Sequence, residues 1–252
     1  MEFGDNLSWT YVMGGLARDY TNDGRPGWAE RLLSHWLDVA DEGQMPIDPR
    51  LWRDSAISSS YPACMAVKAA TEQADDAGYR YLRLVREGLM LFRRKLDTTE
   101  ALVEEARRAR LDVERFRVDL ASNATVEAFG EDLEEVRHPP EAARAAGVVR
   151  AGKRERFSFP SVAFGAGAAF ASLTDPYEKV REAALAAGAL PLDGPALGVE
   201  DALRRFGLMA TSELSQVCGL PGPRAAAELW RLASEWRVKP VRVVTGDLWE
   251  LP

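Results

Sequence analysis

The sequence predicts an α/β protein that is mostly helical by content. Three observations lead to this fold class. Apolar residues recur at helical spacing through residues 58–136, and two short apolar segments that suit strands follow between residues 157 and 173. The chain then ends in the order helix, helix, helix, hairpin, so strands and helices are mixed along its length.

The amino-terminal segment LSWTYVMGG predicts a strand. Its bulky, β-branched and aromatic residues alternate with small ones, and Gly14-Gly15 is typical of a turn at the end of a strand. The apolar residues from Trp28 to Leu37 then recur at helical spacing, and Gly43 is placed to end that helix. We therefore expect a strand followed by a helix at the start of the chain.

Residues 58–137 predict a block of consecutive helices. SSSYPACMAVKAA has a serine cap position, a proline in the first turn and an alanine-rich run, which together start a helix. A second helix is expected between Tyr79 and Phe92, and Asp97-Thr98 is placed to cap a third. DVERFRVDLAS and ATVEAFGEDLEEV complete the block, whose charged faces we interpret as solvated.

The hydrophobic period changes after this block. FSFPSVAFG and AAFASL are short, apolar and separated by a Gly-Ala-Gly turn, which predicts two paired strands before a helix that starts at Asp175-Pro176. The Pro/Gly-rich stretch ALPLDGPALG is typical of a linker. We expect one domain over residues 1–190 and a winged-helix-like module over residues 197–252, because the last elements follow the order of a winged helix-turn-helix.

Composition excludes several classes of function. With 32 basic and 39 acidic residues the net charge is −7, so the chain offers no global positive field for nucleic acid. The sequence has neither a signal-peptide pattern nor an apolar run of about 18 residues, which predicts a cytoplasmic protein without a membrane partner. Only Cys64, Cys218, His35 and His138 could act as soft metal ligands, and they are not at ligand spacing, so we expect no metal and no cofactor.

Three segments in order resemble the DsbA-like branch of the thioredoxin superfamily. YVMGGL is similar to a strand and turn of that branch, SSSYPACMAVKAA to the start of its inserted helical domain, and FSFPSVAF to its cis-proline loop and the next strand. The resemblance covers residues 5–190 and is nearest to predicted dithiol-disulfide isomerases and a related protease adaptor. It implies a thioredoxin-like sheet with a helical insertion at about residues 58–137.

The resemblance also implies a binding surface for a protein or peptide. A cis bond between Phe159 and Pro160 would let an extended substrate pair with the backbone beside Ser158. An ordinary trans proline at the start of a strand is the alternative. Gly14 and Gly15 could bring their backbone close to the same substrate, although a plain turn at the end of a strand explains them equally well.

The chain departs from this branch at the thiols. The branch places a CxxC pair upstream of the segment that YVMGG resembles, and only ten residues precede Tyr11 here. We therefore expect a late gene start, a truncation or a natural remnant, no catalytic residues, and a redox-inactive chain. Cys64 lies near a helix start, but its apolar neighbours favour a structural role. A missing strand would also leave a sheet edge unpaired and apolar surface uncovered, which predicts either marginal stability or self-association.

Three functional hypotheses remain open. The first is a DsbA-family thiol-disulfide oxidoreductase or isomerase by descent that lacks its catalytic cysteines. The second is a non-catalytic adaptor that holds a partner protein at the cis-proline loop and the helical insertion. The third uses Arg224 and Arg231 of the carboxy-terminal module to bind nucleic acid, which Glu228 and Glu235 on the same helix make the least favoured.

Overall fold

A computed structural model describes residues 2–21, 26–152, 155–192 and 194–252. The chain forms two compact units, each built from separate stretches of sequence. The first unit comprises Met1–Asp19, Ser59–Val85 and Asp97–Leu192, and the second comprises Tyr20–Ser58, Arg86–Leu96 and Asp193–Pro252. The domain boundaries expected from the sequence stay a prediction.

Helices dominate the described residues, and the strands are short. The helices are α1 (Trp28–Gly43), α2 (Leu51–Asp54), α3 (Tyr61–Thr71), α4 (Ala77–Met90), α5 (Thr99–Arg108), α6 (Val113–Leu120), α7 (Asn123–Arg137), α8 (Glu141–Ala145), α9 (Tyr177–Ala186), α10 (Val199–Phe206), α11 (Thr211–Val217) and α12 (Gly222–Ser234), with a 3-10 turn at Gly4–Asn6. The strands are β1 (Val149–Arg150), β2 (Arg156–Phe157), β3 (Ser161–Phe164), β4 (Ala169–Ser172), β5 (Met209–Ala210), β6 (Lys239–Val243) and β7 (Gly246–Glu250).

The strand predicted at LSWTYVMGG is absent, and this prediction is wrong. Residues 8–17 form neither helix nor strand. The reason lies in the hydrogen bonds of their backbone: the N–H of Met13 donates to the side chain of Asp132, and the N–H of Ala17 donates to the side chain of Ser60. A side chain of α7 and the side chain of the residue before α3, rather than a second strand, hold this segment in place.

The helical block of the first unit lies where the sequence predicts it. Thr98, Asp112 and Ser122 cap α5, α6 and α7, each through a side-chain oxygen that accepts a backbone N–H in the first turn. The small residues of α3, including the fully buried Ala66 and Ala70, allow α6 and α7 to pack closely on it. Capping residues therefore fix where these helices begin, and small buried residues let the helices pack together.

Two β-hairpins follow the helical block. β3 pairs antiparallel with β4 from Ser161 opposite Ser172 to Phe164 opposite Ala169, as the Gly-Ala-Gly turn predicts. β1 and β2 form a separate two-stranded sheet that the sequence did not reveal. The sheet that the resemblance implies is therefore confined, in the described part of this unit, to two hairpins. Helix α9 packs on β4 and buries Ala184 beside Phe164.

An aromatic cluster organises the amino-terminal part of the second unit. Trp52 of α2 is buried, and the rings of Tyr20, Trp28 and Trp36 pack against it at centroid distances of 4.9, 6.3 and 5.2 Å. Helix α2 itself is a single turn of four residues within the stretch MPIDPRLWRDS. The buried tryptophan explains this helix, since packing compensates for its short length.

The carboxy-terminal residues of the second unit contain three helices and a three-stranded antiparallel sheet. The helices α10, α11 and α12 are followed by the hairpin of β6 and β7, and β5 completes a sheet in the order β5-β7-β6. The helices and the hairpin lie where the sequence predicts them. Their core includes Leu214, Leu229 and Trp249, all fully buried, together with the buried Cys218.

Candidate functional site

The bond between Phe159 and Pro160 is cis, as the resemblance implies, and the alternative of a trans proline is wrong. The loop that contains it follows β2 and leads directly into β3. Ser158 anchors one side of the loop, because its N–H and its hydroxyl both donate to the carbonyl of Val148, at 2.8 and 3.0 Å. The carbonyl of Pro160 accepts the N–H of Leu173 at 3.0 Å on the other side. The loop is thus held by the hairpins that flank it.

Gly14 lies directly against this loop. A Cβ atom on Gly14 would stand 2.4 Å from Cζ of Phe159, which is shorter than any normal carbon contact. A side chain at position 14 would therefore require the Phe159 ring to move. The structure thus brings Gly14 and Phe159 together, although 145 positions separate them in the printed sequence (159 − 14).

Gly15 is favoured by its backbone conformation as well as by its packing. Its backbone has a positive φ of 52°, and a Cβ atom would stand 2.6 Å from Cδ2 of Leu133. Both the conformation and the packing against α7 favour glycine here. We name the surface formed by Ser158, Phe159, Pro160, Gly14 and Gly15 the cis-proline surface. Its role in binding is a proposal that we argue below.

A buried ion pair fixes the backbone beside the cis-proline surface. Asp132 of α7 accepts the N–H of Met13 at 2.7 Å through one oxygen and the ammonium of Lys68 at 2.9 Å through the other. The Asp132 side chain is only 9% exposed, and that of Lys68 is 19% exposed. Charges this well buried need such partners, so the pair and the segment at Met13 depend on each other.

Sequence reasoning missed this pair. Asp132 lies in the acidic run GEDLEEV, which we interpreted as a solvated face, and nothing in the sequence distinguishes it from Glu131 or Glu134. The available signal was Lys68, a single charge within the alanine-rich α3. An isolated lysine on an apolar helix requires a partner, but its identity comes only from the fold.

Positive charge collects on the other side of the cis-proline surface. The guanidinium of Arg156 lies 4.5 Å from the centroid of the Phe159 ring, and Arg156 is the register partner of Arg150. Burial and the charge of Arg150 both lower the pKa of Arg156. Neither arginine has a carboxylate within ion-pair distance among the described residues, whereas Arg144 pairs with Glu155 at 2.9 Å.

Both cysteines are free thiols with raised pKa values. Cys64 and Cys218 are free, the first in the first unit and the second in the core of the carboxy-terminal helices. Burial raises the pKa of Cys64 to about 11, an effect that the charge of Asp132 reinforces and a hydrogen bond from the N–H of Gly15 opposes. Burial also raises the pKa of Cys218. Both thiols are therefore protonated at neutral pH and poor nucleophiles.

Two further kinds of feature are absent from the part of the chain that the structure describes. They contain no group of histidine, cysteine and carboxylate side chains that could hold a metal ion. No helix among them combines the length and apolar character needed to cross a membrane. The cis-proline surface itself combines a loop held by its flanking hairpins with a close approach of the Gly14 backbone to the Phe159 ring.

The fold and this loop define a thioredoxin-like protein. The family model described as thioredoxin matches residues 8–137, about half of the chain, and the chain belongs to that family. The chain contains no CxxC motif. A putative protein disulfide isomerase from Nitrosomonas europaea is a structural neighbour at 14% identity and a TM-score of 0.43, covering 57% of this chain and 69% of its own.

Its curated relatives share one name. The ClpXP adapter protein SpxH of Halalkalibacterium halodurans is 36% identical over 105 residues, which is 42% of this chain and 34% of that protein. The SpxH of Bacillus subtilis is 34% identical over 104 residues, covering 40% of this chain and 35% of its own. The SpxH of Shouchella clausii is 27% identical over 201 residues, covering 75% of this chain and 60% of its own. The first of these matches spans about a third of the relative's length.

Proposed function

We propose that this protein is a non-catalytic adaptor that holds an extended segment of a partner protein at the cis-proline surface. The observation that carries the proposal is the contact of Gly14 with Phe159, because it joins two separate segments into one surface with a fixed backbone. The names of the curated relatives support a binding role over a catalytic one.

The oxidoreductase hypothesis has weaker support. Disulfide exchange needs a thiolate of low pKa and a second cysteine that resolves the mixed disulfide. Cys64 has a raised pKa, and no second cysteine lies near it in the sequence. A purified chain that reduces or isomerises a disulfide substrate with turnover would contradict the adaptor proposal.

Site-specific photocross-linking tests the proposal directly. The photoreactive residue p-benzoylphenylalanine replaces Phe159 in one variant and Val118 in a matched control, because Val118 is 70% exposed on α6 of the same unit. We expect a defined protein to be cross-linked in cells at position 159 and not at position 118. Cross-linking that is equal at both positions would contradict the proposal.

A degradation assay then tests the adaptor role that the relatives' names suggest. The protein cross-linked at position 159 is purified and mixed with ClpXP, with and without this chain. We expect faster degradation when the chain is present. A variant in which Gly14→Val forces the Phe159 ring to move should lose that effect, whereas Val118→Ala should keep it.

We also propose that residues 197–252 form a winged-helix-like module. The sheet order β5-β7-β6, with β5 preceding α11 and the hairpin following α12, supports this assignment. Its basic side chains are largely paired: Arg231 contacts Glu228 and Glu235, and Lys239 contacts Glu250. A protein partner therefore suits the module better than nucleic acid. A cytoplasmic location and self-association remain predictions.

A further inference from the structure

Three arginines and two aspartates form a continuous row of ion pairs in the second unit. Asp48 accepts from Nε and Nη2 of Arg50 at 2.8 and 2.6 Å. Nε of Arg93 lies 3.3 Å from Oδ2 of Asp48, and Nη1 of Arg93 donates to Asp54 at 2.7 Å. The other oxygen of Asp54 accepts from Nε of Arg53 at 2.7 Å. Charges alternate along this row, which begins and ends with a guanidinium. We name Arg50, Arg53 and Arg93 the arginine triad.

A buried carboxylate fixes two members of the triad. Asp48 is only 3% exposed, and its N–H donates to the carbonyl of Met90 at 2.6 Å. A carboxylate buried to this degree needs cationic partners, so it holds Arg50 and Arg93 in place. The side chains of both arginines nevertheless stay accessible, at 43% and 39% exposure. Arginines that are already fixed lose less conformational entropy when a ligand binds to them, so the triad is preorganised.

The backbone of Arg93 is in a conformation that favours glycine. Its φ is 52°, in the left-handed region, and Arg93 follows the end of α4, where glycine is the common residue. A glycine would relieve the strain but would remove the side chain that joins Asp48 to Asp54. The strain at this position therefore accompanies a specific placement of a guanidinium.

The triad carries more positive charge than its partners neutralise. Three guanidinium groups share two carboxylates, which leaves one positive charge in excess. Within the described residues, no acceptor contacts Nη1 of Arg50, Nη2 of Arg93 or either terminal nitrogen of Arg53. By contrast, Arg231 of α12 contacts two glutamates. The triad therefore retains both charge and N–H donors for a ligand from solvent.

We propose that the arginine triad binds a phosphate group, carried either by a small molecule or by a phosphorylated protein. A phosphate group presents at least three acceptor oxygens around one atom, so it can accept from three guanidinium groups at once. A carboxylate presents only two oxygens and a smaller charge. Nucleic acid suits the triad less well, because a row of phosphates needs a larger positive surface and the net charge of the chain is −7.

This site is separate from the proposed function. The triad belongs to the second unit, whereas the residues of the cis-proline surface belong to the first. Failure of phosphate binding would leave the cross-linking result at position 159 unaffected, so the two proposals stand or fall independently.

An NMR titration of the full chain with inorganic phosphate tests the inference. The Nε–Hε signals of arginine side chains report on each guanidinium, and sodium chloride keeps the ionic strength constant. We expect the signals of the triad to shift together and to saturate with a dissociation constant of about 1 mM or lower. Arg242, which is 75% exposed and pairs with Asp247, should not shift. No shift at the triad, or equal shifts at Arg242, would overturn the inference.

Substitution of one arginine tests the donors. Arg53→Gln should weaken phosphate binding about tenfold, because it removes a charge-assisted hydrogen bond. The Arg53 side chain is 67% exposed, so we expect the variant to fold. Arg242→Gln is the matched control, since it also removes an exposed arginine with one aspartate partner in the same unit. Equal weakening in the two variants would rule out a site at the triad.

Substitution of an aspartate tests the excess charge by a gain of binding. Asp54→Asn leaves Asp48 as the carboxylate of the row and should strengthen phosphate binding about threefold. A variant that fails to fold cannot bind more tightly, so this result is independent of structural damage. Asp247→Asn frees Arg242 in the same way and should leave phosphate binding at the triad unchanged. Unchanged or weaker binding in Asp54→Asn would refute the role of the excess charge.

Peptide probes distinguish the two sources of phosphate. The tripeptide alanine-phosphoserine-alanine is compared with inorganic phosphate and with the same peptide carrying glutamate in place of phosphoserine. Binding of the phosphopeptide at least tenfold tighter than inorganic phosphate would assign the site to a phosphorylated protein, and equal affinities would assign it to a small molecule. Binding of the glutamate peptide as tightly as the phosphopeptide would contradict selection for phosphate.

Discussion

Asp132 links the interior of the first unit to the backbone beside the cis-proline surface. Its two oxygens accept from Met13 and from Lys68, so neither the buried carboxylate nor the partly buried ammonium lacks a partner. Removal of Asp132 would leave the Lys68 charge and the Met13 N–H without partners in a site that excludes most water. One aspartate therefore controls both stability and the position of the segment.

We expect Asp132→Ala to lower the free energy of unfolding by about 3 kcal/mol, since it leaves a buried charge unpaired. Urea denaturation measures the change. Glu104→Ala is the matched control, because Glu104 pairs with Arg107 and Arg108 at an exposed position, where substitutions change stability by about 0.5 kcal/mol or less. Equal losses in the two variants would contradict the role of Asp132.

Cys64 should respond to pH as a buried thiol. Its pKa is about 11 in the folded protein against a usual value of 9.0, so the folded state holds the proton more tightly than the unfolded state. The contribution of Cys64 to stability is therefore complete below pH 9.0 and is lost as the pH rises towards about 11. Urea denaturation of wild type and Cys64→Ala, compared across that range, measures this loss.

Below pH 9.0, the difference in the free energy of unfolding between wild type and Cys64→Ala should be constant. Between pH 9.0 and about 11, wild type should lose stability relative to the variant. A Cys218→Ser background restricts thiol labelling to Cys64. Labelling should then be slow at neutral pH, because burial and the raised pKa both oppose it. Rapid labelling in the folded state would contradict this account of Cys64.

At the scale of elements, the serines and threonines that precede helices have two different functions. Thr98 caps α5 by accepting the N–H of Ala101. Ser60 stands in the equivalent position before α3, but its side chain makes no capping bond and instead bonds to the backbone of Ala17. The prediction that a serine caps α3 is therefore wrong. The Ser60 side chain instead holds the backbone at Ala17.

These two residues should give different results when they are changed to alanine. Thr98→Ala removes a cap and should lower the free energy of unfolding by about 1 kcal/mol. Ser60→Ala should speed amide exchange at Ala17 about tenfold, because that N–H loses its acceptor. Thr98→Ala serves as its control and should leave exchange at Ala17 unchanged. Unaltered exchange in Ser60→Ala would refute the anchoring role.

At the scale of the whole molecule, charge argues against nucleic-acid binding. The net charge is −7, and most cations of the carboxy-terminal module pair with carboxylates. Arg231 contacts Glu228 at 2.7 Å and Glu235 at 2.5 Å, and Arg237 pairs with Glu200. Cations committed to internal pairs are not available to phosphates, and binding to phosphates is what makes association with DNA depend on salt.

We expect retention of the intact chain on a DNA column to be weak and independent of salt concentration. A Glu228→Gln/Glu235→Gln variant frees Arg231 and should increase retention at low salt. Ser234→Ala, a neutral change on the same helix, is the control. Retention of wild type that falls steeply with salt would restore the nucleic-acid hypothesis for the module.

The sequence by itself determined most elements of this protein. The helices of the block, the hairpin after the cis-proline loop and the order of the carboxy-terminal elements follow from local signals: apolar periodicity, capping residues and glycine turns. Pro160 was likewise visible in the sequence, and its cis bond followed from the resemblance. Such signals act between residues that are close along the chain, which is why one sequence suffices to detect them.

Only the tertiary structure decided how distant residues meet. LSWTYVMGG has the composition of a strand, yet its backbone bonds to Asp132 and Ser60 instead of to another strand. The burial of Asp132, the contact of Gly14 with Phe159 and the assembly of each unit from separate stretches are equally invisible in the sequence. An extended segment has no hydrogen-bond partners of its own, so residues brought to it by folding determine its structure.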